Sequence, residues 1–345
     1  MQAVPKLRFR DTQIEMAHGA GGKASRRLVD GLFMPLLGEP SAGPLGDAAH
    51  VRINGTRLAI TIDSFVVKPL RFPGGSIGEL AVNGTVNDLA VSGARAETLV
   101  VTYILEAGLP TDVLEQEVRA MAAAARRAGV VIAGGDTKVV EHGKADRMYI
   151  SSCGIGRPIE GVEVSPQSVR PGDRIILSGP IGDHGITILL ARGERDLEAD
   201  ICSDTRSVLP LVEAMAAVAA PGIRWMRDPT RGGVATSLNE LALDCGLGIC
   251  LSEEQIPIHE SVRGACELLG LEPMHIANEG QFLAVVSPEF AEAALAALHA
   301  APGGQAAVII GEVREQPAGT VLVSTLYGGT RVIDMLVGDP LPRIC

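Results

Sequence analysis

From Leu58 to Val67 the chain is a β-rich run, and the pair Asp63-Ser64 places a carboxylate at the edge of the strand it predicts. Leu99 to Leu105 predicts a second strand. Thr111 to Gly129 predicts a helix: Thr111 offers an N-cap oxygen, Leu114, Val118, Met121 and Ala125 share one face, and Gly129 closes it. Val130 to Ala133 then predicts a buried strand running into Gly134-Gly135-Asp136-Thr137-Lys138, and Arg147 to Ile155 another. Strand, helix and strand alternate, so the first half is expected to be α/β.

Between Gly156 and Gly172 the periodicity fades into a polar stretch with Pro158, Pro166 and Pro171, the pattern of a link between domains. The second half repeats the alternation. It predicts a strand at Arg174 to Leu177, a helix after Asp183, and helices from about Thr205 to Ala219 and Gly233 to Asp244. Strands Phe282 to Val286 and Val308 to Val313 flank a helix from Pro288 to His299, and Val321 to Thr325 with Arg331 to Leu336 predict a hairpin around Tyr327-Gly328-Gly329. Beyond Val337 the pattern dissolves into Gly338, Pro340 and Pro342 and ends on Cys345. About eight residues at roughly 3.3 Å each give that tail a reach of about 25 Å.

A length of 345 residues suggests two domains, and 46% hydrophobic content suffices for two cores. Aromatics are only 3%, so those cores are aliphatic. The net charge of −11 opposes binding to a phosphate backbone, and no cationic run is interleaved with aromatics. Nucleic acid is therefore not an expected partner. Met1 to Arg10 carries Lys6, Arg8 and Arg10 without an apolar stretch, and no window approaches 18 uninterrupted apolar residues, so no membrane association is expected and a cytoplasmic location is. Cys153, Cys202, Cys245, Cys250 and Cys266 show no CxxC spacing and fit inert thiols in a reducing compartment. Cys245 and Cys250 flank Gly246 and Gly248, where a turn into a strand is more natural than a zinc site.

Cys345 differs from the other five. A thiolate is the most nucleophilic ordinary side chain, and at the end of the proline-stiffened run Pro340-Leu341-Pro342-Arg343-Ile344-Cys345 it can enter a pocket and leave it, as a carrier must. It is not a prenylation signal, which needs the cysteine fourth from the end. Four turn-like segments set a carboxylate beside glycine or small polar residues, namely Gly46-Asp47-Ala48, Thr61-Ile62-Asp63-Ser64, Asn87-Asp88 and Gly134-Gly135-Asp136-Thr137, and a fifth, Arg227-Asp228-Pro229-Thr230-Arg231-Gly232-Gly233, immediately precedes a predicted helix. Glycine admits backbone N–H groups to anionic oxygens and carboxylates hold Mg²⁺, so together they describe a nucleotide site. His18-Gly19-Ala20-Gly21-Gly22-Lys23 lacks the GxxxxGK[ST] spacing of a Walker loop; it could instead close over a triphosphate from outside, or be a solvated arm. His18 has the same two readings, a phosphate contact or an arm residue.

These residues amount to a resemblance. The set Gly19-Ala20-Gly21-Gly22, Asp63, Asn87-Asp88-Leu89-Ala90, Gly134-Gly135-Asp136-Thr137, Asp228-Pro229-Thr230-Arg231-Gly232-Gly233, Asn278-Glu279-Gly280 and Pro342-Arg343-Ile344-Cys345 resembles the HypE family, the carbamoyl dehydratases of NiFe-hydrogenase maturation, across essentially the whole chain. Several segments are shared in kind with the wider PurM-like superfamily of aminoimidazole ribonucleotide (AIR) synthetase, selenophosphate synthetase and thiamine-monophosphate kinase; the Pro-Arg-Ile-Cys ending is the discriminator. The resemblance implies a two-domain PurM-like α/β (α+β) fold. It divides the chain into an arm and first helix (1–40), an ATP-binding N-terminal domain forming a dimer-interface β-barrel (41–160), a C-terminal α/β sandwich domain (161–336) and a flexible tail (337–345). It further implies a homodimer, loading of Cys345 by the carbamoyltransferase HypF, ATP-dependent dehydration of the S-carbamoyl group to a thiocyanate, and delivery of cyanide to iron on a HypC–HypD complex.

By the same resemblance Cys345 carries the reacting group, and Glu279 and Lys138 are the candidate bases for the nitrogen protons. Gly21, Gly22, Lys23, Asn87, Gly134, Gly135, Asp136, Thr137 and Arg231 are candidates to bind ATP, and Asp47, Asp63, Asp88, Asp136 and Asp228 to hold Mg²⁺. Arg227 either contacts phosphate or pairs with Asp228. Two other readings remain open: a PurM-like small-molecule kinase or synthetase whose tail is incidental, and a metallochaperone that binds a soft metal at Cys345.

Overall fold

The structure, a computed structural model, describes residues 9–37, 46–193, 199–336, 338 and 343–345. The proline run 340–342, Lys6 and Arg8 lie outside the described residues. After a 3-10 turn (Met16–Gly19), the chain runs through α1 (Gly22–Leu28), a π-helical turn (Val29–Phe33) and α2 (Met34–Leu37). The first half follows as β1 (Ala49–Ile53), β2 (Thr56–Phe65), the hairpin β3 (Arg71–Phe72) and β4 (Gly75–Ser76), α3 (Ile77–Val91), β5 (Ala94–Glu106), α4 (Thr111–Ala128), β6 (Val131–Val140) and β7 (Met148–Pro158). The second half contains β8 (Arg174–Leu177), α5 (Asp183–Ala191), α6 (Leu209–Ala219), β9 (Ile223–Arg227), α7 (Gly233–Cys245), β10 (Gly248–Ser252), α8 (Glu260–Leu269), β11 (Leu283–Val286), α9 (Pro288–Ala300), β12 (Val308–Arg314), β13 (Val321–Ser324) and β14 (Thr330–Ile333).

The α/β alternation expected from the sequence is present in both halves, but the expected barrel is not. Among the described residues no sheet closes on itself. The first-half sheet has the order β1-β2-β7-β5-β6, in which β1 pairs with β2 alone and β6 with β5 alone. Its end strands do not pair with each other, and closure requires the first and last strands to pair. One face is covered by α3 and α4. The other is open and carries exposed Ile62, Val100 and Val131. The second-half sheet has seven strands in the order β14-β13-β10-β12-β8-β11-β9 and is likewise open.

Helix α3 was not predicted. Nearly every side chain from Ile77 to Val91 is buried, so the helix is apolar all round and has no amphipathic period to read. Asn87-Asp88, expected in a turn, instead forms part of its last turn. The Gly-Gly-Asp-Thr segment is also no turn: it is the middle of strand β6. Gly135 is required there, because a Cβ would overlap the Val101 carbonyl oxygen beside the register shift at Leu99/Val100. Helix α4 begins at Thr111 with Pro110 as N-cap, one residue earlier than expected, and Gly129 ends it in the left-handed region. Cys245 and Gly246 close α7 before β10, and all six cysteines are free.

Candidate active site

Three carboxylates from distant parts of the sequence converge. Asp47 precedes β1, Asp88 lies in the last turn of α3, and Asp228 follows β9; each offers an oxygen within 4.8 Å of the others. The pairing of β2 with β7 sets Asp63 opposite Ser152, which is fully buried, so Asp63 points toward α3 and lines the same cavity, of about 250 Å³. Burial raises all three clustered acids and each is raised further by its neighbours: Asp47 to about 6, Asp88 and Asp228 well above the usual carboxylate range. The Thr61 hydroxyl lies 2.8 Å from both Asp88 Oδ2 and the Asp47 carbonyl, and Arg227 pairs with Asp47 at 3.2 Å and Glu240 at 3.5 Å. Asp228 Oδ2 is buried without a hydrogen-bond partner. An all-oxygen set of mutually repelling carboxylates with an orphaned oxygen fits a hard divalent cation.

Cys345 lines an adjoining cavity of about 510 Å³, and Thr230 and Arg231 line both. The Arg231 guanidinium donates to Asp63 Oδ1 at 2.9 Å and also hydrogen-bonds the Cys345 side chain. Burial, with the nearby Glu279 carboxylate, pushes the Cys345 thiol up to about 12, against the pull of Arg231. Glu279 is buried between a 3-10 turn (Pro273–His275) and β11; burial, Asp228 and Asp63 raise it well above its ordinary value. The two cavities thus place a thiol and a triad of oxygen ligands around one arginine, with the Glu279 carboxyl buried close by and lining neither.

The other candidates are distributed differently. Gly21 lines the acidic cavity, and a Cβ there would fall 2.7 Å from Arg231 Cβ, so the Gly-rich arm packs directly on that arginine. Gly22 begins α1, and Lys23 is held by Asp334 at 2.6 Å. His18 is buried, accepts the Glu15 N–H at Nδ1, pairs through Nε2 with Asp11 at 2.8 Å and meets the Phe9 ring edge-on; it organises the arm. Asn87 is committed to backbone partners: it donates to the carbonyls of Arg206 and Glu279 and accepts from the Val208 N–H. Gly134, Gly135, Asp136, Thr137 and Lys138 stand on β6, three strand spacings or about 14 Å from β2. Asp136 pairs there with Lys138 at 2.8 Å, outside both cavities. Asp136 is therefore not brought to the carboxylate cluster, nor Lys138 to Cys345, within one chain.

Sequence reasoning missed Glu240 and the residues that hold the tail. The N–H of Val66 donates to the terminal main-chain oxygen of Cys345 at 2.9 Å, His184 meets the Ile344 carbonyl at 3.0 Å, and Arg192 the Arg343 carbonyl at 2.5 Å. No sequence signal marks them, since each contact spans more than a hundred residues.

The chain matches the family models of AIR synthase related proteins, the N-terminal domain over residues 45–157 and the C-terminal domain over 170–324. It is 48% identical over 340 residues to carbamoyl dehydratase HypE of Azotobacter vinelandii, covering 99% of both chains. Among solved structures it is similar to a HypE in complex with ATP (TM-score 0.80, 44% identity, 96% of this chain and 100% of that one) and to a HypE–HypF complex (TM-score 0.80, 44% identity, 84% and 93%).

Proposed function

This chain belongs to the HypE family, the ATP-dependent carbamoyl dehydratases of hydrogenase maturation, and from that premise we propose that Cys345 carries the carbamoyl group while the residues around Arg231 dehydrate it. The observation that carries the assignment is the shared lining of the two cavities: the terminal thiol and the carboxylate triad meet at Thr230 and Arg231.

An amide-like oxygen is a poor leaving group. In the proposed sequence the carbamoyl oxygen attacks the γ-phosphorus of ATP and ADP departs, leaving an O-phosphorylated thiocarbamate. Two protons then leave the nitrogen, the C–O bond breaks with release of phosphate, and –S–C(=O)NH₂ has become –S–C≡N. Glu279 is the base we favour: it is buried close to the Cys345 sulfur and to Arg231, where its carboxylate can take one proton from the nitrogen while the departing phosphate takes the other. Arg231 holds Asp63 and faces the sulfur, where it steadies negative charge. Asp47, Asp88 and Asp228 would hold Mg²⁺, which supplies charge neutralisation for the transferring phosphoryl group when bound.

Loading of Cys345 falls to a carbamoyltransferase of the HypF kind, and the nitrile carbon passes to iron on a HypC–HypD complex, with the tail thiolate as leaving group. A second copy of the chain is the occupant we assign to the open face of the first sheet, whose unpaired edge β6 and exposed Ile62, Val100 and Val131 would otherwise remain in water. That pairing would bring the Gly134–Lys138 segment of one copy toward the nucleotide of the other. Among the described residues no helix is long and apolar enough to cross a membrane.

Intact-mass measurement tests the assignment. Carbamoyl phosphate, carbamoyltransferase and ATP should add one carbamoyl group that then loses one water, both changes mapping to the C-terminal peptide; a modification mapping elsewhere refutes it.

A further inference from the structure

The last three residues are held by groups that none of the chemistry above requires. A main-chain oxygen of each is engaged, by Arg192, His184 and the Val66 N–H in turn. Main-chain contacts of this kind would accept almost any tripeptide. Two further contacts are specific. The Arg343 guanidinium pairs with Asp146 Oδ2 at 2.8 Å, donates to the Val66 carbonyl at 3.3 Å and lies 5.9 Å from the centroid of the Tyr149 ring. The Ile344 side chain is buried in the main hydrophobic core.

The backbone at Arg343 has φ +58, a left-handed conformation that costs a non-glycine residue about 1 kcal/mol and persists only where surrounding contacts over-determine it. The docked tail is therefore gripped. Each gripping group is itself fixed. The Tyr149 hydroxyl accepts the Asp146 N–H at 3.1 Å, and Lys68 lies 3.6 Å from the Asp146 carboxylate. His184 is fully buried, with the Phe72 ring edge-on at 5.6 Å. Because its Nε2 faces a carbonyl, that nitrogen must carry the hydrogen; Nδ1 then accepts from the Ser203 hydroxyl at 2.7 Å, whose oxygen in turn accepts the Thr205 N–H at 3.1 Å. Burial lowers the ring to about 4, so it stays neutral and keeps this arrangement at neutral pH.

We infer that Asp146, Tyr149 and His184 form a docking site for the Arg343-Ile344-Cys345 ending, Asp146 and Tyr149 reading the guanidinium and His184 holding the main chain at Ile344, and that they are positioning residues for the terminal sulfur. The inference deepens the dehydratase reading and rests on it for the identity of the cargo. Docking places the sulfur beside Arg231 for dehydration, whereas loading by an external transferase needs the tail undocked. Weakening the grip must therefore affect the two steps differently, which a general loss of structure would not do.

The test uses the full chain carrying Asp146→Asn, Arg343→Gln, both together, or the charge-swapped pair Asp146→Arg with Arg343→Asp. Three rates are measured: alkylation of Cys345 by iodoacetamide, with exposed Cys202 as internal reference; carbamoyl loading; and ATP-driven dehydration of the loaded tail. Each single variant should raise alkylation and lower dehydration about tenfold, the size expected for one charge-assisted hydrogen bond, with loading undiminished. The double variant should be no worse than either single, and the swapped pair should recover part of both rates. His184→Gln, a buried change, should act in the same direction if the chain folds. Unchanged alkylation and dehydration in Asp146→Asn, or additive losses in the double variant, overturn the inference while leaving the dehydratase reading intact. If alkylation responds as expected but the wild-type tail is never dehydrated, the docking site stands and the dehydratase reading falls.

Discussion

The Arg231 guanidinium reaches Asp63 Oδ1 at 2.9 Å from the turn preceding α7, joining a strand of the first sheet to the second half beside the terminal thiol. Burial works against its charge, but the nearby Asp63 and Asp88 carboxylates outweigh it and the guanidinium stays protonated. Arg231→Gln leaves the acids and the sulfur without that cation. Dehydration of the loaded tail should slow about 100-fold, with carbamoyl loading unchanged, in single-turnover assays. Equal slowing of both steps would make Arg231 merely structural.

Asp88→Asn removes one of the three converging carboxylates and relieves the repulsion felt by Asp47 and Asp228. The variant should be as stable as the wild type or more so without cation, but magnesium should stabilise it less, as read by thermal unfolding against magnesium concentration. Its dehydration should fall about 100-fold while loading persists. A full magnesium response in the variant would remove Asp88 from the site.

Stability should fall as pH rises through about 6. Burial pushes Asp47 and Asp204 up to about 6 and Asp88, Asp228 and Glu279 further, so from the ordinary carboxylate range upward the folded chain holds more protons than the unfolded one. Their contribution is complete below the unfolded value of about 4 and is lost as pH passes the folded values. His184, lowered to about 4, acts in the opposite sense, its share being lost as pH falls below about 6.5. In chelator-containing buffer the melting temperature should be lower at about pH 8 than at about pH 6, and magnesium with ATP should narrow the gap. A melting temperature that climbs across that interval contradicts the carboxylate account.

Asn87 and Gly135, both candidates for the nucleotide, have structural demands of their own. Asn87→Ala strands the Val208 N–H and two carbonyls in a buried region and should cost about 3 kcal/mol by urea unfolding. Gly135→Ala drives a methyl into the Val101 carbonyl and should cost about as much. A loss below about 0.5 kcal/mol at either position would refute the packing argument there.

Elements whose one face meets water were legible in the sequence. Helix α4 has an apolar stripe and a closing glycine, and the β13–β14 hairpin has paired β-rich runs around Tyr327-Gly328-Gly329. Helix α3 was not legible, because complete burial erases the polar face on which periodicity depends. Strand β6 was cut short for a related reason: glycines that signal a turn in most contexts serve here to let two strands approach. Asp47, Asp88 and Asp228 could each be singled out, but only the packing of α3 against β2 and the second half makes them neighbours. The open sheet, and the grip of Asp146 and His184 on the tail, depend on contacts between residues far apart in sequence, for which local pattern carries no signal.

The most direct measurement follows a labelled carbon. With ¹³C-carbamoyl phosphate, carbamoyltransferase and ATP, the carbon bound to the wild-type chain should convert from a thiocarbamate carbonyl resonance to a thiocyanate nitrile resonance assigned to Cys345, and Cys345→Ser should show neither. A nitrile carbon on another residue, or a carbonyl at Cys345 that persists after ATP is consumed, would contradict the account.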